Sequence, residues 1–321
     1  MPTLQLYSNW WWIRFLLTQK CNQKCPDCSL CELKKNKDDF IDPKKIIDAF
    51  RVFSLWGYRN VTLYGGEPLL HPSFLNIYNK AQHFFPNIQV FTNGTITFPI
   101  KIVPRKTDFF IFNFDFNKNK TFIKNVFFLR KNIHPHLNFS IIVQKETDIN
   151  QLKADLNFFV KNNLQDFSVR ISMNCFADIL KEKKILNQKI VSLIGVLQEL
   201  GIPCGMAQKI PLCFFLFPLK KIIKSTVNPF CGKECGGLID PNFNILSCGA
   251  LYRYEINPRD IKPKNMFYKN KIISRKKHQE VLKQILKIKL KRKSPDPKCQ
   301  ACEYYKRRDC DSTGCFPYTK P

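Results

Sequence analysis

From residue 12 to residue 172, short apolar runs alternate with amphipathic stretches, the pattern of repeated strand-helix units. Strands read at roughly 12–18, 60–65, 88–92, 108–115, 137–144 and 167–172, with helices near 43–56, 72–84, 120–131, 149–163 and 187–200. A chain that alternates strand and helix in this way is expected to build a parallel sheet. Asp42-Pro43 and His71-Pro72 mark helix starts, because proline fits the first helical turn.

The last three strands carry more information than their propensity. Phe112, Phe114 and Phe116 alternate with Asn113 and Asp115. Phe139, Ile141 and Val143 alternate with Ser140 and Gln144, with Ile142 as the exception, and Phe167, Val169 and Ile171 alternate with Ser168, Arg170 and Ser172. In an ordinary parallel sheet both faces are buried and the strands read as continuous apolar runs. Three neighbours with one polar face need a wet place to point, which predicts an α/β fold with a partial (β/α)6 barrel around a ligand-filled lumen. The helix-forming stretches between the strands argue against a sheet with one solvent face. Asn113, Asp115, Ser140, Gln144 and Arg170 are then lumen candidates, and the loops after the strand C-termini form the mouth where such folds keep their sites.

With 321 residues, 44% hydrophobic and 13% aromatic, the chain can bury one large core or two unequal ones. The charge of +27 raises nucleic acid as a partner. Lysine is spread through the whole chain with abundant Phe, Ile and Asn, a bias of A+T-rich coding, so nucleic acid is not the expected ligand. The densest block, Lys262 to Lys293, reads as a solvated helix face. Most of the fourteen cysteines are grouped at metal-ligand spacings, and the chain does not open on a signal pattern. That places the protein in a reducing cytoplasm rather than outside the cell. Trp10-Trp11-Trp12 and the following apolar run are too short to span a bilayer, so no membrane anchor is expected.

Cys21-x3-Cys25-x2-Cys28 follows the first strand and supplies three thiolates to an iron-sulfur cube that has four corners. The corner left open can hold a small molecule by its amine and carboxylate. Cys31 follows at the same x2 interval, so ferredoxin-like closure by a fourth thiolate and a tetrahedral zinc site are the rival readings. Gly65-Gly66-Glu67-Pro68 after the second strand and Thr92-Asn93-Gly94 after the third come in the order used by radical S-adenosylmethionine (SAM) enzymes, which residues 12 to 200 resemble. The resemblance implies a 4Fe-4S cluster on Cys21, Cys25 and Cys28, with Gly65, Gly66, Glu67 and Pro68 contacting the SAM amino group. Asn113, Asp115, Ser140 and Arg170 become candidate SAM contacts that could equally serve substrate, and Arg170 suits a carboxylate. Cys31 is then a spare thiol, while Asp27 departs from the aromatic or His usual beside the third cysteine. Thr92, Asn93 and Gly94 are expected to shape a turn rather than to touch a ligand.

Cysteine density rises again after a proline-containing stretch, giving expected boundaries of 1–200 for the barrel, 201–228 for a linker and 229–321 for a small cysteine-rich domain. Cys231-x3-Cys235-x12-Cys248 and Cys299-x2-Cys302-x7-Cys310-x4-Cys315 resemble the SPASM extension of radical SAM enzymes, which binds up to two auxiliary 4Fe-4S clusters. Gly237 to Asp240 and Asn244 to Cys248 resemble its hairpin, and Lys276 to Lys289 reads as a helix. Carried over by position, one cluster takes Cys231, Cys235, Cys248 and Cys315, and the other takes Cys299, Cys302 and Cys310 with no fourth cysteine after Cys315. Cys204 or Cys213 could supply that ligand, or a single auxiliary cluster or a structural zinc remains. Phe243 stands where the family has glycine. Cys175, Cys204 and Cys213 otherwise read as buried packing, with hydrogen-atom return to a substrate radical as the functional alternative.

The resemblance implies a peptide or protein substrate, an external one-electron donor such as flavodoxin or ferredoxin, and a separate leader-binding partner, since the barrel begins almost at once. A sugar dehydrogenase or epimerase is the closest rival. A non-catalytic iron-sulfur carrier or an RNA-binding protein is the rival of another class.

Overall fold

The computed structural model describes residues 12–25, 28, 40–114, 120–132, 135–164, 166–173, 182–207, 235–246, 264–268 and 271–291. Strands β1 (Trp12–Leu16), β2 (Asn60–Tyr64), β3 (Asn87–Thr92), β4 (Phe109–Asn113), β5 (His136–Val143) and β6 (Phe167–Met173) pair in sequence order, all parallel. Between them lie helices α1 (Pro43–Leu55), α2 (Phe74–Phe84), α3 (Lys120–Asn132) and α4 (Ile149–Lys161), and α5 (Lys183–Glu199) follows β6. The six expected strands and five expected helices are all present.

Register explains why the sequence alternates. Ile13, Phe15, Val61, Leu63, Ile88, Val90, Phe110, Phe112, Phe139 and Val169 turn to the helices and are buried. On the other face Asn113, Ser140 and Arg170 form one row across β4, β5 and β6. Ile142, the apolar exception, shares that face and is 40% exposed, so the inner face is wet even where its residue is greasy. This is the partial TIM-type barrel expected from the alternation.

Helix starts follow local chemistry. Asp42 caps α1 by accepting from the amides of Lys44 at 2.8 Å and Lys45 at 3.1 Å, with Pro43 in the first turn. Asp148 does the same for α4. Helix α2 begins two residues after the His71-Pro72 signal, because the His71 ring accepts the Ser73 amide and holds that segment as a turn. Helix α5 begins at Lys183 rather than near 187, since buried Leu186 opens the stripe continued by Ile190, Leu193 and Leu197.

Two pairings were not foreseen. β7 (Cys204–Met206) lies in the segment read as linker and extends the sheet beside β6. β8 (Cys235–Ile239) runs parallel to β1 on the opposite edge, and β9 (Asn244–Leu246) and β10 (Lys264–Asn265) continue outward, giving the order β10-β9-β8-β1-β2-β3-β4-β5-β6-β7 among the described residues. A short β11 (Phe267–Tyr268) and β12 (Lys271–Ile272) pair precedes α6 (Arg275–Lys291). The β8–β9 turn is held by Asp240, which accepts from the Asn244 amide at 2.7 Å and the Asn244 side chain at 2.9 Å. Phe243 adopts φ +60°, the conformation that makes glycine usual there, and packs its ring edge-on against Phe267 at 4.8 Å. His278 of α6 sits among the rings of Phe53, Trp56 and Tyr58, which docks the helix on α1.

At the N-terminal end of β4, buried Asp108 accepts from Tyr78 Oη at 2.6 Å, the Arg105 amide at 2.9 Å, Arg105 Nη2 at 3.0 Å and the Ile88 amide at 3.2 Å. Burial and the Asp108 charge push the Tyr78 phenol up. This network lies at the end of the barrel away from the mouth, where such contacts serve stability rather than chemistry. No helix among the described residues is long and apolar enough to cross a membrane.

Candidate active site

The first strand delivers the cysteine loop to the mouth. It leaves at Leu17, whose amide donates to Tyr64 O at 2.7 Å, and returns at Ile41, whose amide donates to Leu17 O at 2.8 Å. Thr18 bridges Phe40 to close its neck. His71 pins the return: Nδ1 accepts the Ser73 amide, so Nε2 carries the proton and donates to Ile41 O at 2.9 Å. Burial lowers the His71 pKa, which keeps this neutral tautomer in place.

Gly65 and Gly66 lie directly against this neck. A Cβ on Gly65 would stand 2.6 Å from Thr18 O, and one on Gly66 would stand 2.2 Å from Lys20 O. The Gly66 amide donates to Thr18 O and the Glu67 amide to Lys20 O, both at 2.8 Å. The pair therefore serves first to let two backbones zip together beside Cys21, so the glycines have a demand on them before any ligand arrives.

Glu67 is fully buried and joins two strand ends. Its Oε1 accepts from the Leu69 amide at 3.1 Å and from Thr92 Oγ1 at 2.9 Å, and its Oε2 accepts from the Asn93 amide at 2.7 Å. Burial raises its pKa to about 6 against these hydrogen bonds, which pull the other way. Pro68 is buried and opens a 3-10 turn over Pro68–Leu70. Asn93 then reaches the loop: its Nδ2 donates to Asn22 Oδ1 at 2.9 Å and faces Cys21 Sγ at 3.9 Å, while its Oδ1 accepts from the Thr95 amide and hydroxyl. Asn22 donates to Thr95 Oγ1 at 2.7 Å. Asn93 was expected to shape a turn rather than to touch a ligand; it does so, and it also ties that turn to Asn22 in the cysteine loop. The signal available was the pairing of a buried acid after one strand with a polar triplet after the next.

Cys21 and Cys28 are half-buried and Cys25 is exposed. The Gln23 amide donates to Cys21 Sγ at 3.4 Å and the Cys28 amide to Cys25 O at 3.3 Å. Among the described residues no three His, Cys, Asp or Glu side chains converge closely enough to hold an ion. The donor set still fits an iron-sulfur cluster: three soft thiols in one loop, with amide donors aimed at the first sulfur.

Below the loop the lumen is lined by Tyr64, Phe91, Asn113, Ser140 and Arg170, with Asn113 exposed and Ser140 and Arg170 half-buried. Gln144 follows β5, and its amide donates to Thr147 Oγ1 at 2.8 Å. Leu16 and Leu238 pack together between Cys28 and Tyr64, which brings β8 to the base of the loop. Cys235 opens β8 at the level of Trp12, the end of β1 far from the loop. Cys204 is half-buried in β7, and burial raises its thiol pKa. Asp27, Cys31, Asp115, Cys175, Cys213, Cys231, Cys248, Cys299, Cys302, Cys310 and Cys315 lie outside the described residues.

No protein-family model matches the chain. The probable GTP 3′,8-cyclases of Pyrococcus horikoshii and Methanothermobacter marburgensis are 32% identical to it over 83 and 85 residues, 26% of this chain and 26% and 28% of their own. The GTP 3′,8-cyclase of Haemophilus influenzae is 29% identical over 89 residues. The chain thus spans about a quarter of the length of the curated relatives it matches. Streptococcus suis SuiB bound to S-adenosylmethionine aligns over 92% of this chain and 71% of its own, with a TM-score of 0.66 at 16% identity. SuiB bound to its precursor peptide SuiA aligns with a TM-score of 0.65 at 15% identity, over 92% of this chain and 70% of its own. The likeness to SuiB is one of fold.

Proposed function

We propose that this chain, a member of the radical SAM superfamily by its fold and its three-cysteine loop, is an enzyme that abstracts hydrogen from a peptide or protein substrate. The observation that carries this reading is the cysteine loop at the mouth of a barrel whose inner face is polar. A 4Fe-4S cluster held by Cys21, Cys25 and Cys28 would pass one electron from an external donor to SAM, giving methionine and a 5′-deoxyadenosyl radical that leaves as 5′-deoxyadenosine after taking a substrate hydrogen atom.

The chain's own residues confine and position. Gly65 and Gly66 keep the end of β2 flat against the loop, so the backbone there can meet the SAM amino group, and Glu67 and Pro68 fix that turn through Thr92 and Asn93. Asn93 also holds Asn22 and approaches Cys21, so it sets the loop's conformation on the side of the first ligand. Asn113 and Ser140 suit the ribose hydroxyls as hydrogen-bonding groups along the lumen wall, and the Asp115 carboxylate has the chemistry for the same use. Leu16, packed with Leu238 and Tyr64, gives the base of the cysteine loop an apolar lining, the kind of surround that shields a reactive carbon radical.

The peptide choice is supported by the C-terminal cysteine pattern, which resembles the SPASM extension, and by a fold neighbour whose structure holds a precursor peptide. One or two auxiliary clusters on Cys231, Cys235, Cys248, Cys299, Cys302, Cys310 and Cys315 would accept an electron from the substrate. Of these cysteines Cys235 is the one among the described residues, at the start of β8. A cytoplasmic setting, a flavodoxin or ferredoxin donor and a separate leader-binding protein complete the reading.

Anaerobically reconstituted protein given SAM and dithionite tests it. Release of 5′-deoxyadenosine that rises on adding a precursor peptide encoded beside the gene supports the proposal. Release without any peptide dependence, but stimulated by a sugar or nucleotide, overturns the substrate class. No release from protein with its full iron content leaves only an iron-sulfur carrier.

A further inference from the structure

The Asn93 side chain is fixed by the fold before it meets the cysteine loop. Its backbone amide is anchored on buried Glu67, and the next amide, that of Gly94, donates to Thr92 Oγ1 at 2.9 Å. Asn125 of α3, also buried, holds the segment that follows: its Nδ2 donates to Gly94 O at 2.8 Å and Ile96 O at 2.7 Å, and its Oδ1 accepts from the Phe98 amide at 3.1 Å. Asn93 Oδ1 accepts from the Thr95 amide at 2.9 Å and the Thr95 hydroxyl at 2.7 Å. A backbone N–H can only donate, so that end of the side chain is its oxygen and the other end is the NH2.

That NH2 has two hydrogens to place. One goes to Asn22 Oδ1 at 2.9 Å, which leaves the second for Cys21 Sγ, 3.9 Å away. Asn22 closes a ring by donating in turn to Thr95 Oγ1 at 2.7 Å. The Gln23 amide donates to the same sulfur at 3.4 Å, so Cys21 is met by N–H groups from two separate segments of the chain. Asn93 is 6% exposed, so water competes little for its hydrogens. A hydrogen bond to a cluster sulfur strengthens when the cluster gains an electron, because part of the added charge sits on the sulfurs. It therefore favours the reduced form and raises the reduction potential. A donor already oriented needs no reorganisation when the charge arrives.

We infer that Asn93 is a positioning residue that acts through the Cys21 sulfur to raise the reduction potential of the N-terminal cluster, easing its reduction by a flavodoxin- or ferredoxin-type donor. This rests on the proposed cluster at Cys21, Cys25 and Cys28, and on neither the substrate nor the reaction. One electron passes from that donor to the cluster, and Asn93 keeps both its hydrogens throughout. The role differs from holding the loop in shape, because it makes one redox state more stable than the other.

The test is a potentiometric titration of the anaerobically reconstituted full chain, without SAM. Electron paramagnetic resonance follows it, with the Cys21→Ala/Cys25→Ala/Cys28→Ala spectrum subtracted at each potential. Asn93→Ala is expected to disfavour reduction about tenfold, a midpoint lower by about 59 mV for one electron. Asn93→Asp is expected to lower it further, since it keeps the acceptor for the Thr95 amide but turns an anionic oxygen toward the sulfur. Thr95→Val breaks the ring through Asn22 while the Thr95 amide still fixes Asn93 Oδ1, so its reduction equilibrium should stay within about threefold of wild type. A wild-type midpoint in Asn93→Ala overturns the inference. So does an equal fall in Thr95→Val, which would assign the effect to loop conformation. Should Asn93→Ala fail to take up iron, Asn93→Asp carries the test, and loss of iron from both makes the residue structural and overturns the inference. A lowered midpoint in protein that releases no 5′-deoxyadenosine with SAM supports the tuning while refuting the reaction, and release with an unchanged midpoint does the reverse. No difference signal in the wild type removes the cluster, and both fall with it.

Discussion

Replacing Gly66 by alanine puts the contact between β2 and the cysteine loop under direct strain. The added Cβ would lie 2.2 Å from Lys20 O, 2.6 Å from Lys20 C and 2.7 Å from Gln19 O, all backbone atoms with no rotamer to yield. Ordinary contact begins at 3.4 Å, so the two segments must part by more than 1 Å. That separation breaks the 2.8 Å hydrogen bonds from the Gly66 amide to Thr18 O and from the Glu67 amide to Lys20 O. Each is worth about 0.5–1.5 kcal/mol, and overpacking of a tight site adds about 1–3 kcal/mol, so the expected loss is about 2–6 kcal/mol. Because Lys20 precedes Cys21, the displacement also moves the first thiol. Urea unfolding of the anaerobic apoprotein reads the stability, and iron per chain after reconstitution reads the loop. Gly195→Ala is the control: that residue is exposed in α5 with nothing within 4 Å of its added Cβ, and it should gain about 0.5–1 kcal/mol from lower backbone entropy in the unfolded chain. If Gly66→Ala unfolds within 0.5 kcal/mol of wild type and keeps its iron, the close approach is not what the glycine is for.

Other perturbations follow from the same geometry. Burial raises the Glu67 pKa from 4.5 to about 6, so the folded protein keeps a proton that the unfolded chain has released between those values. Stability therefore falls by about 2 kcal/mol as pH rises through that window. Glu67→Gln should remove this slope and cost about 1–3 kcal/mol by turning an N–H toward an amide donor, with the deficit larger at pH 4.5 than at pH 7 in urea titrations; a deficit that grows with pH would reverse the sign argument. Asp108→Ala should cost about 3–5 kcal/mol by orphaning its buried donors, read as a lower urea midpoint at unchanged iron content, since this network lies away from the mouth. Phe243→Gly relieves a left-handed backbone worth about 1–2 kcal/mol but deletes a buried ring worth about 3–5 kcal/mol, so its melting temperature should fall; a rise would mean that backbone strain dominates the turn.

The strands and helices were legible because each is written in a short-range period. Phe110, Phe112 and Phe114 on one side and Asn113 on the other state both the strand and its wet face, and Leu186, Ile190, Leu193 and Leu197 state a helix. Pairing between distant segments carries no such local period. β7 is three residues long inside a proline-containing stretch, and nothing in Cys235 to Ile239 says that β8 will lie beside β1. The site divided in the same way. Cys21, Cys25, Cys28 and the Gly-Gly-Glu-Pro segment are visible as spacing and order, whereas the link from Glu67 through Thr92 and Asn93 to Cys21 depends on where three strand ends meet. Phe243 is the instructive middle case: its departure from glycine was visible, and the structure shows the backbone keeping the glycine conformation while the ring finds Phe267. Arg170 was visible as a lumen residue, but its seat over the Phe91 ring of β3 was not.

The central claim is a corner of the N-terminal cluster that SAM itself fills. Electron paramagnetic resonance of the dithionite-reduced protein, with and without SAM, tests it when the spectrum of a Cys21→Ala/Cys25→Ala/Cys28→Ala variant is subtracted to leave that cluster alone. The account predicts that the difference signal shifts on adding SAM and that Cys31→Ala leaves the shift intact. An unchanged difference signal, or a shift that appears only once Cys31 is removed, would contradict it.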